Sequence, residues 1–452
     1  MKKIYFLSII NFFFLVSSSG HLSGEDTKES NVKSIIELME KAADWQLNNP
    51  LRIDLRFNDP STKKGKRAQI LWDGCLMRIL DAGFLENETD TCLESWRNYG
   101  AINNQNISFC QLPLAVQNTI TNKSGVTGSQ IKYIRLGDTG SRKWEMAPFL
   151  SSLVELSYIS SKPVYSDALQ VIGNANSWKL GDRIYNADDH CVGKMYLDMY
   201  KMTGDPVMKM DIEMRFDWII KNPYNQTLSI ADGKNRWSWC DALYMSPPTW
   251  VKLTNITGDQ KYIDFMDREW WQTTEYLYDK DDSLFYRDDR FFEMIEKNGK
   301  KVFWSRGNGW VLAALAEIIE DMPDYYPSKS KYIELYVQMA ERITGLQPSD
   351  GMFRSSLLDP ESYESPEASS TAFFCYALAW GINYKLLDKS VYLPVVIKSW
   401  NALTDCVDDD GKLGYVQLPG AAPGEVDAAW SAPYGVGAFI LAGSEIVKIL
   451  RD

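Results

Sequence analysis

The sequence predicts an all-α fold, an (α/α)6 barrel of six helical hairpins. Three observations predict it. Apolar residues recur with a period near 3.6 from residue 30 onward. The segments that show this period are of two kinds that alternate, one amphipathic and charged, the other apolar nearly all round. Two connections also share their wording, KMTGDP at 201–206 and NITGDQ at 255–260, as repeated supersecondary units do.

In chain order, the amphipathic segment 30–47 opens the series, the apolar segment 145–160 follows, and the amphipathic segment 163–177 returns. Apolar 190–202 and amphipathic 207–222 flank the first TGD turn; apolar 241–256 and amphipathic 260–278 flank the second. Apolar 307–320, amphipathic 330–347, apolar 369–387, amphipathic 391–406 and apolar 431–450 complete the set. A helix that is apolar on every side must be buried on several, so the apolar set is expected inside and the amphipathic set facing water. The segments that enter the apolar helices are RKWE, YNADDH, RWSWCD, VFWSRGNGW, ESPEASS and GEVDAAWSAP. They carry the unusual chemistry and would converge at one end of the barrel.

From about 50 to 142 this rhythm is missing. The stretch reads as an insertion that caps the barrel mouth or forms a helical appendage, with a possible helix over ILWDGCLMRILDAGF. Residues 21–452 are otherwise read as a single catalytic barrel domain. The N-terminus has two lysines, an apolar run from Ile4 to Val16 and small residues Ser17 to Gly20. This pattern predicts a signal peptide over residues 1–20, too short to span a membrane. The mature chain is expected in the periplasm or secreted, with no membrane insertion after cleavage.

Apolar residues make up 45% and charged residues 24%, the balance of an ordinary globular protein. A net charge of −12 without a Lys/Arg-rich run argues against a nucleic-acid partner. The 16 tryptophans and 24 tyrosines suit a site that stacks on sugars. The seven cysteines include no CxxC, and the two histidines are His21 and His190. No metal site and no cofactor are expected from that inventory. A Ser/His/Asp hydrolase would have to use His190 as its base.

Asp188 and Asp189 stand in NADDHCVG, at the start of one apolar helix, and Asp241 stands in WSWCDALYMSPP, at the start of the next. Across a ring such residues face each other, as a carboxylate pair doing acid and base work must. Helix capping is the ordinary alternative for an aspartate so placed. Trp144, His190 and Trp239 lie beside them among the expected substrate contacts. In VFWSRGNGW, Gly307 and Gly309 permit close backbone approach, while the helix start and the planar fork of Arg306 would hold a carboxylate. Trp304 and Trp310 could then wall the sugar; otherwise Arg306 pairs with a local acid such as Asp288 and both tryptophans are core.

These motifs, together with DFMDREWW, GKLGYVQLPG and YGVGAFILAGSE, resemble the unsaturated uronyl hydrolases of glycoside hydrolase family 105, relatives of family 88. The likeness runs from Trp144 to the C-terminus. It implies an enzyme that removes a 4,5-unsaturated galacturonyl or glucuronyl residue from the non-reducing end of lyase-generated oligosaccharides, rhamnogalacturonan-type pectin fragments first among them. The implied chemistry is acid-catalysed hydration of the enol ether. The resemblance also implies Asp241 as proton donor and Asp189, with Asp188 beside it, as the second acid. It implies Trp304, Arg306, Gly307 and Trp310 as the wall against the unsaturated sugar. Where some relatives carry further site histidines, this chain has YRDDRFF at 286–292. Two other readings are an inverting glycosidase with its carboxylates about 6.5–9.5 Å apart, and a secreted sugar-binding protein without turnover.

Overall fold

The computed structural model describes residues 24–48, 51–57, 67–71, 106–107, 131–138 and 141–452. The helices of the barrel are α1 (Gly24–Asn48), α2 (Ala147–Ile159), α3 (Val164–Ala175), α4 (Gly193–Thr203), α5 (Val207–Lys221) and α6 (Pro247–Thr257). They continue with α7 (Lys261–Leu277), α8 (Ser305–Asp321), α9 (Lys329–Gly345), α10 (Ala368–Asn383), α11 (Lys389–Thr404) and α12 (Pro433–Arg451). Each falls on a segment that the 3.6-residue period marks out. The even helices pack side by side in sequence order, and α12 packs against α2 to close the ring. Helix α1 covers the seam, touching both α12 and α2.

Burial explains which helices go where. Helix α10 buries every residue from Ala368 to Ile382, so no side of it faces water. Helix α7 buries Tyr262, Ile263, Phe265, Met266, Trp270, Thr273, Thr274 and Leu277, the single face of an outer stave. Helix α12 is long and apolar enough to cross a membrane, yet every residue from Pro433 to Val447 is buried inside the ring.

The shared TGD wording marks two turns of one construction. Gly204 ends α4 at φ 74° and Gly258 ends α6 at φ 72°, left-handed conformations that a side chain resists. The threonine before each glycine donates to a carbonyl one turn back, Thr203 to Met199 at 2.9 Å and Thr257 to Leu253 at 2.8 Å. The aspartate after each accepts from the first residue of the next helix, Val207 or Lys261, at 3.1 Å.

Between α1 and α2 the described residues form an antiparallel sheet of β1 (Leu51–Phe57), β2 (Arg67–Leu71), β3 (Asn106–Ile107) and β4 (Ile131–Asp138), in the order β2-β1-β4-β3. Ile53 sits opposite Ile70 on one side and Leu136 on the other. This corrects the expected helical appendage. Ile70 and Leu71, the first residues of the expected helix, belong to β2, and the remainder of that helix lies outside the described residues. The signal was present: Leu51, Ile53, Leu55 and Phe57 alternate with Arg52, Asp54 and Arg56, a period of two rather than 3.6. The expected signal peptide and Cys75, Cys92 and Cys110 also lie outside the described residues.

Nothing lies near a Cβ built on Gly204, so its glycine serves backbone conformation alone. Gly204→Ala should cost about 1–2 kcal/mol of stability and leave activity unchanged, which denaturant melts paired with an activity assay will show.

Candidate active site

The hairpin topology points the N-terminal ends of all even helices to one end of the ring, and the three aspartates sit there. Asp188 and Asp189 close a 3-10 turn, Ala187–Asp189, just before α4. Asp241 precedes a helical turn, Ala242–Met245, that leads into α6. Capping does not account for them. Asn186 is the residue that caps the 3-10 turn, accepting from the Asp188 N–H at 3.1 Å, and the Asp241 side chain caps nothing. Cys240 donates its thiol to Asp241 Oδ1 at 3.3 Å, and the Arg287 guanidinium stands 3.8 Å from Oδ2.

Within the Asp188–Asp189 pair the two carboxylates are held differently. Asp189 is consumed by Arg183, whose backbone N–H donates to it at 2.6 Å and whose side chain grips both oxygens, with Nη2 to Oδ1 at 2.6 Å. Asp188 keeps only a longer approach of Arg183, at 3.7 Å. Burial pushes the Asp188 carboxyl up to about 6, opposed by the charges of Lys234 and Arg183 and reinforced by Asp241 and Glu145. Asp241 is one of the charges that act on Asp188, and both carboxyls are buried.

Several expected contacts are placed elsewhere. The His190 ring is enclosed, with Nδ1 2.8 Å from the Ser246 hydroxyl and Nε2 2.8 Å from the Ile184 carbonyl, and burial lowers its pKa to about 4. Both ring nitrogens are committed to partners within the fold. Trp310 is core, packed between Tyr244 and Phe373. Trp304 is buried and donates its indole N–H to Gln417 Oε1 at 2.7 Å. Trp239 is buried beneath the Lys234 ammonium, 4.6 Å from the ring centroid. Gly307 serves packing, since a Cβ there would stand 3.0 Å from Cys240 Sγ and disturb the neighbour of Asp241. Trp144 alone among these tryptophans is partly exposed, stacked on Tyr434 with centroids 5.4 Å apart.

Arg306 fits neither expectation. It is fully buried, sandwiched between Trp304 and Tyr434 at 4.5 and 5.0 Å from the ring centroids. Its Nη1 donates to the Gln417 carbonyl at 2.5 Å and its Nη2 to the Leu418 carbonyl at 3.0 Å. Asp288 is instead held by Arg287 at 2.5 Å and Arg290 at 2.8 Å. Arg306 thus pins a loop at the barrel mouth. Gln417 is the hub of that loop. Its backbone N–H reaches Glu367 at 3.0 Å, its side-chain amide the Ala422 carbonyl at 3.0 Å, and its own carbonyl also accepts from the Tyr434 hydroxyl at 2.5 Å.

Sequence reasoning missed Arg183, Arg287, Lys234 and Gln417. Arg183 and Arg287 sit in quoted or adjacent stretches, GDRIYNADD and YRDDRFF, where a cation among acids was a usable signal. Nothing in the sequence ties Gln417 to Arg306.

A sequence profile described as Glycosyl Hydrolase Family 88 matches residues 118–450. The chain is 37% identical over 327 residues to the unsaturated 3S-rhamnoglycuronyl hydrolase of Alteromonas sp. (strain LOR), covering 69% of this chain and 79% of that protein. It is 40% identical over 301 residues to a protein of the same name from Formosa agariphila, covering 63% and 79% respectively. A solved structure described as a polysaccharide lyase superposes with a TM-score of 0.64 at 31% identity, over 69% of this chain and 92% of its own.

The burial of Asp188 carries a stability cost that depends on pH. Its carboxyl binds a proton more tightly folded than unfolded, so stability falls as pH rises from near 4 to about 6, and the full cost is present above that. Asp188→Asn should therefore raise stability at pH 7 by on the order of 2–3 kcal/mol and leave it unchanged near pH 4, which melts at the two pH values will test. Arg306→Lys keeps the charge but loses the two-pronged grip on the loop. We expect it to cost about 1.5–3 kcal/mol of stability with KM for an unsaturated uronate shifted less than about threefold. A large rise in KM with unchanged melting would return Arg306 to the substrate.

Proposed function

Because the chain belongs to glycosyl hydrolase family 88, we propose that it removes a 4,5-unsaturated uronyl residue from the non-reducing end of oligosaccharides released by polysaccharide lyases. The observation that carries this reading is the buried pair Asp188 and Asp241, set at the entrances of successive inner helices with capping left to other residues. The substrate already contains an enol ether conjugated to a carboxylate, so the difficult step is delivery of a proton to carbon. Asp241 donates a proton to C4, C5 becomes electrophilic, and a water adds there while giving a proton back to the carboxylate pair. The resulting hemiketal opens and releases the neighbouring sugar. Burial pushes the Asp188 carboxyl up to about 6, so this member of the pair holds a proton well above the usual carboxylate range.

The name shared by the two curated relatives favours an unsaturated uronyl unit linked to rhamnose. We therefore place rhamnose–uronate fragments ahead of other lyase products as substrates. The signal-like N-terminus, Met1 to Gly20, supports export to the periplasm or beyond. The N-terminal sequence of the protein recovered from an expressing cell tests that location.

A second reading comes from the similarity to a structure described as a lyase. The two reactions move one signal in opposite directions. A hydrolase erases the ultraviolet absorbance of the conjugated double bond in a lyase digest, whereas a lyase creates that absorbance in intact polysaccharide. We expect loss of absorbance on the digest, no gain on the intact polymer, and at least about a hundredfold lower turnover for Asp241→Asn. Near-normal turnover of that variant would remove Asp241 from the mechanism.

A further inference from the structure

We propose that Lys234 recognises the uronate carboxylate of the substrate, the part that the sequence pattern assigns to Arg306. This inference rests on the uronyl hydrolase reading and names the group that would hold its substrate. Four cations surround the acid pair. Arg306 is buried, and its two terminal nitrogens are taken by backbone carbonyls. Arg183 is spent on both oxygens of Asp189. Arg287 is buried and wedged between Asp288 and Asp241. Lys234 is partly exposed, and its contact among the described residues is the face of Trp239.

Its position is fixed by the loop that carries it. Ser238 donates its hydroxyl to the Gly233 carbonyl at 3.1 Å, and the Ile230 N–H reaches Asp289 at 3.3 Å. Trp239, two residues before Asp241, supports the ammonium from below. Lys234 is also the leading charge acting on Asp188. A cation near Asp188 that makes no ion pair among the described residues is free to take a second anion, and a substrate uronate supplies it. The covalent geometry of the sugar agrees. The carboxyl carbon is bonded to C5, and C5 is doubly bonded to C4, so the group that holds the carboxylate also fixes the reacting bond.

An anion at this place could instead be a sulfate on the neighbouring sugar, and the test separates the two. Binding is measured by titration calorimetry, which needs no turnover, on wild type, Lys234→Gln and Lys234→Arg. The probes are an unsaturated uronyl-rhamnose with and without sulfate, and the same compounds with the carboxylate converted to an amide. We expect Lys234→Gln to weaken the uronates about tenfold or more, equally with and without sulfate, and Lys234→Arg to recover most of that loss. The amides should bind wild type and Lys234→Gln alike. In turnover, Lys234→Gln should raise KM with kcat changed less than about threefold. Unchanged uronate binding in Lys234→Gln, a loss seen only with the sulfated probes, or no uronate binding by wild type would each overturn the assignment. Uronate binding that depends on Lys234 without any loss of double-bond absorbance would keep the assignment and overturn the hydrolase reading.

Discussion

Six helices that are apolar on every side can hide from water only against one another in a closed ring, and the rest of the structure hangs on that closure. The seam joins the two extremes of the barrel sequence, where the Ser444 hydroxyl of α12 meets Met39 of α1. Closing so long a loop costs only slowly more entropy as the chain lengthens. The same argument explains why the connection between α1 and α2 tolerates the insertion that carries β1 to β4. Lengthening one link of the ring leaves every stave in place.

Closure by antiparallel hairpins also makes the two ends of the barrel unlike. One end collects the N-terminal ends of the inner helices, with their unpaired N–H groups and partial positive charge. The three aspartates, Arg306 and the loop around Gln417 are gathered there. Further down the ring lie Glu155, Glu317 and Glu445, each joined to a lysine, and Glu320, which accepts from the Trp380 indole. Lys194 meets Glu317 at 2.9 Å while lying over the Tyr244 ring, and Lys252 bridges Asp198 and Asp321 at 2.9 and 3.1 Å. Burial still pushes the Glu155 carboxyl up to about 7. The chain thus carries ionisable groups at both levels, but it leaves an electrostatically coupled pair of carboxyls open only toward the mouth.

The barrel was legible because its signal is local. A period of 3.6 residues, an alternation of two helix kinds and a repeated TGD turn can all be read without knowing what any residue touches. The aspartates at successive helix entrances were legible for the same reason, since register along the repeat placed them together. The different settings of the adjacent pair were not, because a neighbour's geometry decides them: Arg183 wraps Asp189 and stands 3.7 Å from Asp188. The role of Arg306 was hidden more completely. Its partners are backbone carbonyls more than a hundred residues later, and a carbonyl has no letter in the sequence. The tryptophans misled in the other direction, because a ring that suits a sugar also suits a core, and only burial tells Trp144 from Trp310. The sheet was missed where a strand's period of two was judged by its failure to show a helix's rhythm.

The saturation of Gln417 has a thermodynamic consequence for whatever enters the mouth. Each of its polar groups is occupied, by Glu367, Trp304, Ala422, Arg306 and Tyr434. Ordering a loop on binding ordinarily subtracts from affinity, through backbone and side-chain freedom lost at that moment. Here the freedom is surrendered during folding, before any ligand arrives. An oligosaccharide, itself a flexible chain, then meets a rim that is already set, and the entropy of association falls mainly on the sugar. Chain length of the ligand, more than motion of the protein, becomes the quantity that governs how that entropy changes from one oligosaccharide to the next.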